Sequence, residues 1–286
     1  MLVLLLLLFV GKASVAQRGE THDVYAIIPK DSLISDLNLL QKALEEVHPG
    51  LYRYNSETAF KTYLSSVKQD IEGPQSSVDF YKYVAKIIAG INDGHSRTKL
   101  DKSIWESAHL FPFAVAVLGE QLYITQNLSS NDSLEAGMEI LSINGKSTSK
   151  ILKQLKAHLS SDGFIETMKE VELGGTGLAQ HYFLLFGETN RFEVGIATTA
   201  SEKVYTVKAA QVTEMRVNKL KRYSAATPFT PFETRYDSAT KTQILTINTF
   251  VPHKYRKAKM TFTRKVKKAF KSYNKSEAEN LIIDLR

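Results

Sequence analysis

The last part of the chain alternates between strand and helix patterns, and this order constrains the fold more than any other feature of the sequence. The residues predict a strand at Thr242–Phe250, a helix at about Tyr255–Tyr273 and a buried strand at Leu281–Arg286. This order is typical of a parallel α/β layer. Because parallel strands need cover on both faces and further neighbouring strands, we expect the fold to continue beyond Arg286. The chain is therefore expected to be the front part of a larger protein.

The first residues predict an exported protein. Leu2–Val10 is an unbroken apolar run, and Ser14-Val15-Ala16 forms a small-residue cleavage pattern before Gln17. We expect residues 1–16 to be a secretory signal peptide, although no lysine or arginine precedes the run. A buried N-terminal strand is the alternative. No later apolar run approaches the ~18–20 residues of a membrane helix, so the chain is expected to meet a membrane only through the transient signal peptide.

The absence of cysteine excludes several classes of chemistry. Disulfides, thiol catalysis, cysteine zinc sites and a lipoprotein anchor all require this residue. An exported chain without cysteine fits the periplasm, cell envelope or exterior of a bacterium better than an animal extracellular space. The histidines lack the spacing of metal ligands, so no metal and no cofactor is expected. Gly174–Gly177 lacks the Gly-Lys-Ser/Thr ending of a phosphate loop, which favours a flexible turn over nucleotide binding.

The N-terminal part is predicted to be helical. Apolar residues recur at steps of three and four in three segments that begin near Ser32, Ser56 and Ser76. The third segment opens with a Ser-x-x-Asp capping pattern. These segments predict a helical domain over residues 17–100, which ends in the turn sequence Asn92-Asp93-Gly94-His95-Ser96.

From Phe111 the apolar period changes to two. The predicted elements are strands at Phe111–Leu118, Gln121–Gln126 and Met138–Ile143 and a helix at about Ser149–Leu159. Asn144-Gly145 predicts a tight turn at the end of the third strand. The region 108–160 resembles a PDZ domain, in which residues matching Leu134-Glu135-Ala136-Gly137 and Ile140–Gly145 form the recurrent signature. This resemblance implies that Leu134, Gly137 and Ile140 bind the extended end of a peptide.

The whole order of elements resembles the tail-specific protease family, also called C-terminal processing peptidases, in the form common among exported Bacteroidetes proteins. The resemblance implies an α+β multidomain fold. It comprises the helical N-terminal domain, the PDZ-like αβ module, a connecting region with strands at 161–235, and the beginning of an α/β, ClpP/crotonase-like protease core at 236–286. In the family, the segment that matches Leu281–Arg286 leads into a glycine-rich oxyanion loop. The nucleophilic serine follows later, so both lie outside this chain.

Family members activate the serine either with a lysine of the core domain or, in the tricorn-type branch, with a histidine and a distant glutamate. The Asp-Gly-His-Ser sequence resembles the second form, which implies that His95 is the general base. Ser96 or Asp93 would then orient the imidazole ring. A plain turn at the end of a helix is the alternative for this segment, and a downstream lysine is the alternative base. His48 precedes Pro49 at a predicted helix end, where it is expected to cap the helix.

Ten lysines or arginines and no acidic residue lie between Val251 and Lys275. Their spacing predicts one helix with an apolar inner face and a solvated basic face. Export and the lack of interleaved aromatic residues argue against nucleic acid as a partner.

Three functions remain open from the sequence. The first is an exported serine-type peptidase that acts on peptide or protein substrates and is inactive as this chain alone, because the nucleophile and the oxyanion loop are missing. The second is a non-catalytic peptide-binding protein that uses the PDZ-like module. The third keeps the family fold for ligand binding without proteolysis. The sequence does not determine the oligomeric state.

Overall fold

The computed structural model describes residues 23–101, 104–199, 201–223 and 229–285. They form two compact units, one up to Arg222 and one from Tyr223 onward. The predicted signal peptide 1–16, the predicted mature terminus Gln17 and the final residue Arg286 lie outside the described residues. Within the described part of the chain, the helices are too short or too polar to cross a membrane.

Three amphipathic helices open the first unit, as the sequence predicted. The elements are β1 Ile27–Ile28, α1 Lys30–Val47, α2 Glu57–Gln69, β2 Gln75–Ser76 and α3 Ser77–Ala89. The hydroxyls of Ser56 and Ser76 accept the amide hydrogens three residues later, so each caps the helix that follows. Leu37, Phe60 and Ile87 belong to a separate core between the three helices. Burial of these apolar faces stabilises helices that would be marginal alone.

The remainder of the first unit is built around one antiparallel sheet. The elements are α4 Ile104–Ser107, β3 Phe113–Leu118, β4 Gln121–Asn127, β5 Glu139–Ile143, β6 Lys146–Ser147, α5 Thr148–Lys156, α6 Thr167–Leu173, α7 Gly177–Phe186, β7 Arg191–Ala197, β8 Glu202–Lys208 and α8 Val212–Arg222. The strand order is β3-β4-β5-β7-β8, and β6 pairs with β5. The sheet is therefore shared by the predicted PDZ-like module and the predicted connecting region.

A single hydrophobic core lies under this sheet and explains why the two regions are joined. Ile140 of β5 pairs with Ile196 of β7, and both side chains are buried. Phe111 packs against Phe192 with ring centroids 5.1 Å apart. The glycine-rich segment forms the connection between α6 and α7, where Gly175 makes an isolated bridge with β3. It is a structural turn, in line with the interpretation favoured from the sequence.

The second unit contains a three-stranded sheet and two helices. The elements are β9 Phe232–Asp237, β10 Thr242–Ile247, α9 Pro252–Lys257, α10 Phe262–Tyr273 and β11 Asn280–Asp284. The sheet order is β11-β10-β9, with β10 and β11 parallel and β9 antiparallel to β10. The predicted strand, helix, strand order and the parallel pairing are confirmed.

Two details of the second unit differ from the sequence-based prediction. The prediction of a single helix at Tyr255–Tyr273 is wrong. The helical conformation is interrupted between α9 and α10, where Lys259 adopts a φ of +53°. The last strand was predicted to be buried, but Ile282 and Ile283 are 51% and 50% exposed. Among the described strands, β11 pairs only with β10 and lies at the edge of their sheet, so the expected burial depends on further strands beside it.

Candidate functional site

The predicted turn Asn92–Ser96 follows α3 and is held by a distant part of the same unit. The amide of Gly163 donates to the carbonyl of Asn92 at 2.8 Å, and the amide of Gly94 donates to Oδ1 of Asp162 at 2.9 Å. The second bond joins residues 68 positions apart in the sequence. The turn therefore has a fixed conformation that its local sequence does not supply.

Gly94 permits this close approach. A Cβ atom at this position would lie 3.2 Å from Oδ1 of Asp162 and 3.3 Å from its backbone nitrogen. Both distances are tighter than ordinary van der Waals contact. A side chain here would push the turn away from Asp162, so glycine serves packing as well as turn formation.

Asp93 is the centre of the site. Its Oδ2 accepts a hydrogen bond from the Ser96 hydroxyl at 2.7 Å and lies 3.1 Å from Nε2 of His48. Its Oδ1 accepts the backbone amide of His95 at 3.1 Å. Partial burial acts to raise the pKa of Asp93. The hydrogen bonds from Ser96, from the His95 amide and from His48 outweigh that effect and hold the pKa below its usual value.

His95 presents its side chain to solvent. The side chain is 89% exposed, and Nδ1 lies 3.5 Å from Oδ1 of Asp93 and 4.0 Å from Oδ1 of Asp162. Two carboxylates therefore face one edge of the ring. Ser96, the other predicted site residue, donates its hydroxyl to Asp93 and lies beside Nε2 of His48, not beside the His95 ring.

His48 is the C-cap of α1, as predicted, but the sequence reasoning missed that its ring also belongs to this site. Its side chain is 10% exposed. The ring Nδ1 accepts the amide of Gly50 at 3.2 Å, while Nε2 lies 3.0 Å from the Ser96 hydroxyl. His48 and Asp93 are 45 positions apart, so no local pattern indicates that they meet. The one available signal was a polar ring at the end of an amphipathic helix.

A second ion-pair group connects the turn to the α6–α7 region. Arg97 donates through Nε to the Gly94 carbonyl at 3.1 Å and through Nη1 to Glu172 at 2.9 Å. His181 Nε2 lies 3.6 Å from the same carboxylate. The neighbouring His181 ring lowers the pKa of Glu172, burial opposes this, and Arg97 lowers the pKa further.

One cluster of described residues has the spacing of metal ligands. Donor atoms of Asp93, His95 and Asp162 all lie within 4.8 Å of one another. Each of the two carboxylates already accepts a backbone amide, and both His95 and Asp162 are exposed. The contacts of these donor atoms are explained without an ion, so we assign no metal here.

The three predicted substrate-binding residues lie away from this turn in the sequence, in and beside β5. Leu134 and Ile140 are only 2% and 1% exposed and belong to the core under the sheet. The amide of Gly137 donates to the carbonyl of Ile124 at 2.7 Å. This placement gives Leu134 and Ile140 a packing role and leaves little of their side chains for a substrate.

The two edges of the sheet differ in their availability to an extended peptide. On β3, Val115 exchanges two hydrogen bonds of 2.8 Å with Gly175, so an added strand cannot pair at that point. The opposite edge is β8, where Val204 is 59% exposed. Strand addition requires free backbone groups at an edge. Among the described strands, β8 itself pairs only with β7, and the bridge nearest to it joins Ala210, two residues after the strand, to Leu110.

The lowered pKa of Asp93 predicts a pH-dependent contribution to stability. A carboxylate whose pKa is depressed in the folded state stabilises the fold above its unfolded pKa of about 3.9, and this contribution is lost as the pH falls through the folded value. We expect Asp93→Asn to lower the free energy of unfolding by about 1–2 kcal/mol at pH 7. The difference should shrink below about pH 4 in denaturant unfolding measured from pH 7 to pH 3. Asp36→Asn, on an exposed position of α1, is the control, and a pH-independent difference at Asp93 would contradict the prediction.

No family model and no curated protein matches the sequence. The fold is similar to that of CPAF, a chlamydial serine protease. A serine-to-alanine mutant of CPAF gives a TM-score of 0.54 at 14% identity and covers 89% of this chain and 56% of CPAF. Mature CPAF complexed with lactacystin gives a TM-score of 0.50 at 13% identity, and the match covers 89% of this chain and 55% of CPAF. This chain thus spans little more than half the length of CPAF. The likeness establishes the predicted α+β multidomain fold.

Proposed function

We propose that this chain provides the N-terminal domains and the general base of an exported serine-type peptidase of the tail-specific, tricorn-type class. One observation carries the proposal. An exposed imidazole, His95, stands on a turn fixed by Asp162 and Gly163 and faces the carboxylate of Asp93. This arrangement lies in a fold similar to that of a serine protease. An exposed histidine beside a carboxylate whose pKa is lowered is suited to general base catalysis.

In this proposal His95 removes the proton from a serine hydroxyl as the oxygen attacks the scissile carbonyl. The proton then passes from His95 to the leaving amine. Asp93, whose Oδ1 lies 3.5 Å from Nδ1 of His95, stabilises the imidazolium that forms between the two steps. The distant glutamate of the family would be a further carboxylate. The nucleophile and the oxyanion donors would come from residues outside these 286.

Ser96 is not the proposed nucleophile, although it lies 3.0 Å from His48. A base must accept the serine proton, and Nε2 of His48 cannot do so. Because Nδ1 of His48 accepts the Gly50 amide, the proton of the neutral ring resides on Nε2. Ser96 instead donates its own proton to Asp93 at 2.7 Å. The pair is structural in this arrangement.

The proposed substrate is an extended segment of a peptide or protein. With β3 paired to Gly175, we propose that β8 receives this segment by strand addition. The same edge would serve a non-catalytic peptide-binding protein, the second candidate function. The two functions differ in whether His95 is required for turnover. Export to the bacterial envelope remains part of the proposal.

The test compares the 286-residue chain with the complete gene product. The chain alone should neither hydrolyse peptides nor react with a serine-directed phosphonate, because the proposed nucleophile is absent. The complete product should do both, and mass spectrometry should place the label on a serine outside these 286 residues. Stable phosphonate labelling of a serine within the folded 286-residue chain, lost on denaturation, would contradict the proposal. A complete product that binds peptides without cleaving them would favour the second candidate.

A further inference from the structure

His48 lies behind the His95 turn, at the point where α1 ends. Its backbone amide donates to the Leu44 carbonyl at 3.0 Å, which continues the helical hydrogen bonding by one residue. Pro49 follows directly, so the chain leaves the helix here. The ring is 10% exposed and contacts Gly50 on one side and Asp93 and Ser96 on the other.

The direction of each hydrogen bond in this group follows from its donors. A backbone amide can only donate, so the Gly50 contact at 3.2 Å fixes Nδ1 of His48 as an acceptor. The ring proton is then on Nε2 and points toward Asp93 Oδ2 at 3.1 Å and Ser96 Oγ at 3.0 Å. The Ser96 hydroxyl, which also receives this contact, donates to the same Oδ2 at 2.7 Å.

This pattern gives the two carboxylate oxygens of Asp93 different partners. Oδ2 is held by His48, whose side chain is 10% exposed, and by the Ser96 hydroxyl. Oδ1 is left to accept the His95 amide at 3.1 Å and to face the His95 ring at 3.5 Å. A carboxylate with one oxygen fixed cannot rotate freely, so the second oxygen keeps its direction.

We propose that His48 is a positioning residue that fixes Asp93 in the orientation in which Oδ1 faces His95. The inference rests on the proposed function of His95, and it adds a residue that the family resemblance did not supply. His48 acts through Asp93 and does not itself contact the reacting atoms. Residues that orient the ligands of metal sites change affinity or activity by about 10–100-fold when they are lost, and we expect an effect of the same order here.

The first test uses the 286-residue chain and does not depend on activity. In spectra of histidine labelled with ¹⁵N, the ring of His48 should show a protonated Nε2 and an unprotonated Nδ1. His48→Phe fills the space without a donor and should speed hydrogen exchange of the His95 amide about tenfold. His48→Gln keeps an amide donor near the position of Nε2 and should retain the protection. His109→Gln, at a histidine that bonds Glu188 at 2.9 Å, is the control and should have no effect.

The second test measures the complete gene product. His48→Phe should lower kcat about 10–100-fold with KM changed less than about threefold, and His48→Gln should recover kcat to within about threefold of the natural protein. A protonated Nδ1 in His48 would overturn the inference, as would unchanged His95 exchange and kcat in His48→Phe. If His48→Phe does not fold, the inference is still tested by the tautomer of His48 and by the exchange rate and kcat of the His48→Gln variant. If His95→Ala remains active, the proposed function fails, while the spectra still report on whether His48 fixes Asp93.

Discussion

Replacing His95 with alanine in the complete gene product should lower kcat by on the order of 10³ or more, because an unassisted serine hydroxyl is a poor nucleophile. The fold should survive. The side chain is 89% exposed, so its loss removes little packing, and we expect the free energy of unfolding to change by no more than about 1 kcal/mol. Steady-state kinetics and thermal unfolding on the same preparation measure the two effects separately.

The control for this experiment is His109→Ala, which removes a partly exposed histidine that also has a carboxylate partner, Glu188. It should leave kcat within about twofold. If a lysine outside these 286 residues is the base, His95→Ala should keep its activity within about tenfold and fold normally. That result would remove His95 from the mechanism. Loss of activity together with unfolding would indicate a structural turn only.

Replacing Gly177 with alanine should cause the largest loss of stability among the single changes considered. Gly177 is the first residue of α7, and a Cβ atom there would lie 1.9 Å from the backbone carbonyl oxygen of Glu172. The backbone of Glu172 cannot move aside as the end of a flexible side chain can, so α6 and α7 would have to separate. We expect a loss of about 2–4 kcal/mol and a fall in Tm on the order of 10 °C, measured by calorimetry.

Gly73→Ala is the matched control, since no heavy atom lies within 4 Å of a Cβ placed there. Its effect should stay within about 0.5 kcal/mol. Glu172 also holds Arg97, so Gly177→Ala should loosen the link between α6 and the His95 turn. Equal stability of the two alanine variants would show that the α6–α7 turn accommodates the added atom, and would contradict the prediction.

Where the sequence predicted correctly, the physical cause lies within a few neighbouring residues. The helices α2 and α3 follow from an apolar period of 3.6 and from serine caps at Ser56 and Ser76. The turn at Asn144-Gly145 follows from the tolerance of both residues for positive φ, which are +51° and +72° here. The pairing of Ile143 with Lys146 across that turn is the expected result.

Where the sequence-based prediction was wrong or incomplete, the cause is non-local. The basic segment was predicted as one helix because its apolar period runs on through the break at Lys259. The last strand was predicted to be buried from its composition, but burial depends on which strands lie beside it. Likewise, β7 and β8 could be predicted as strands, yet their place in the sheet of β3–β5 depends on pairing that no local pattern encodes.

The candidate site shows the same division. The sequence by itself determined that a turn follows α3 and that this turn carries Asp93, His95 and Ser96, because Asp-Gly pairs favour turns. Only the tertiary structure decided what the turn contacts. It places His48 beside Asp93, although the two residues are 45 positions apart in the sequence. It also places Asp162 beside Gly94, 68 positions away. Hydrogen bonds act over about 3 Å in space whatever the separation along the chain, so these partners are fixed by the packing of α1 and of residues 162–163 against the turn.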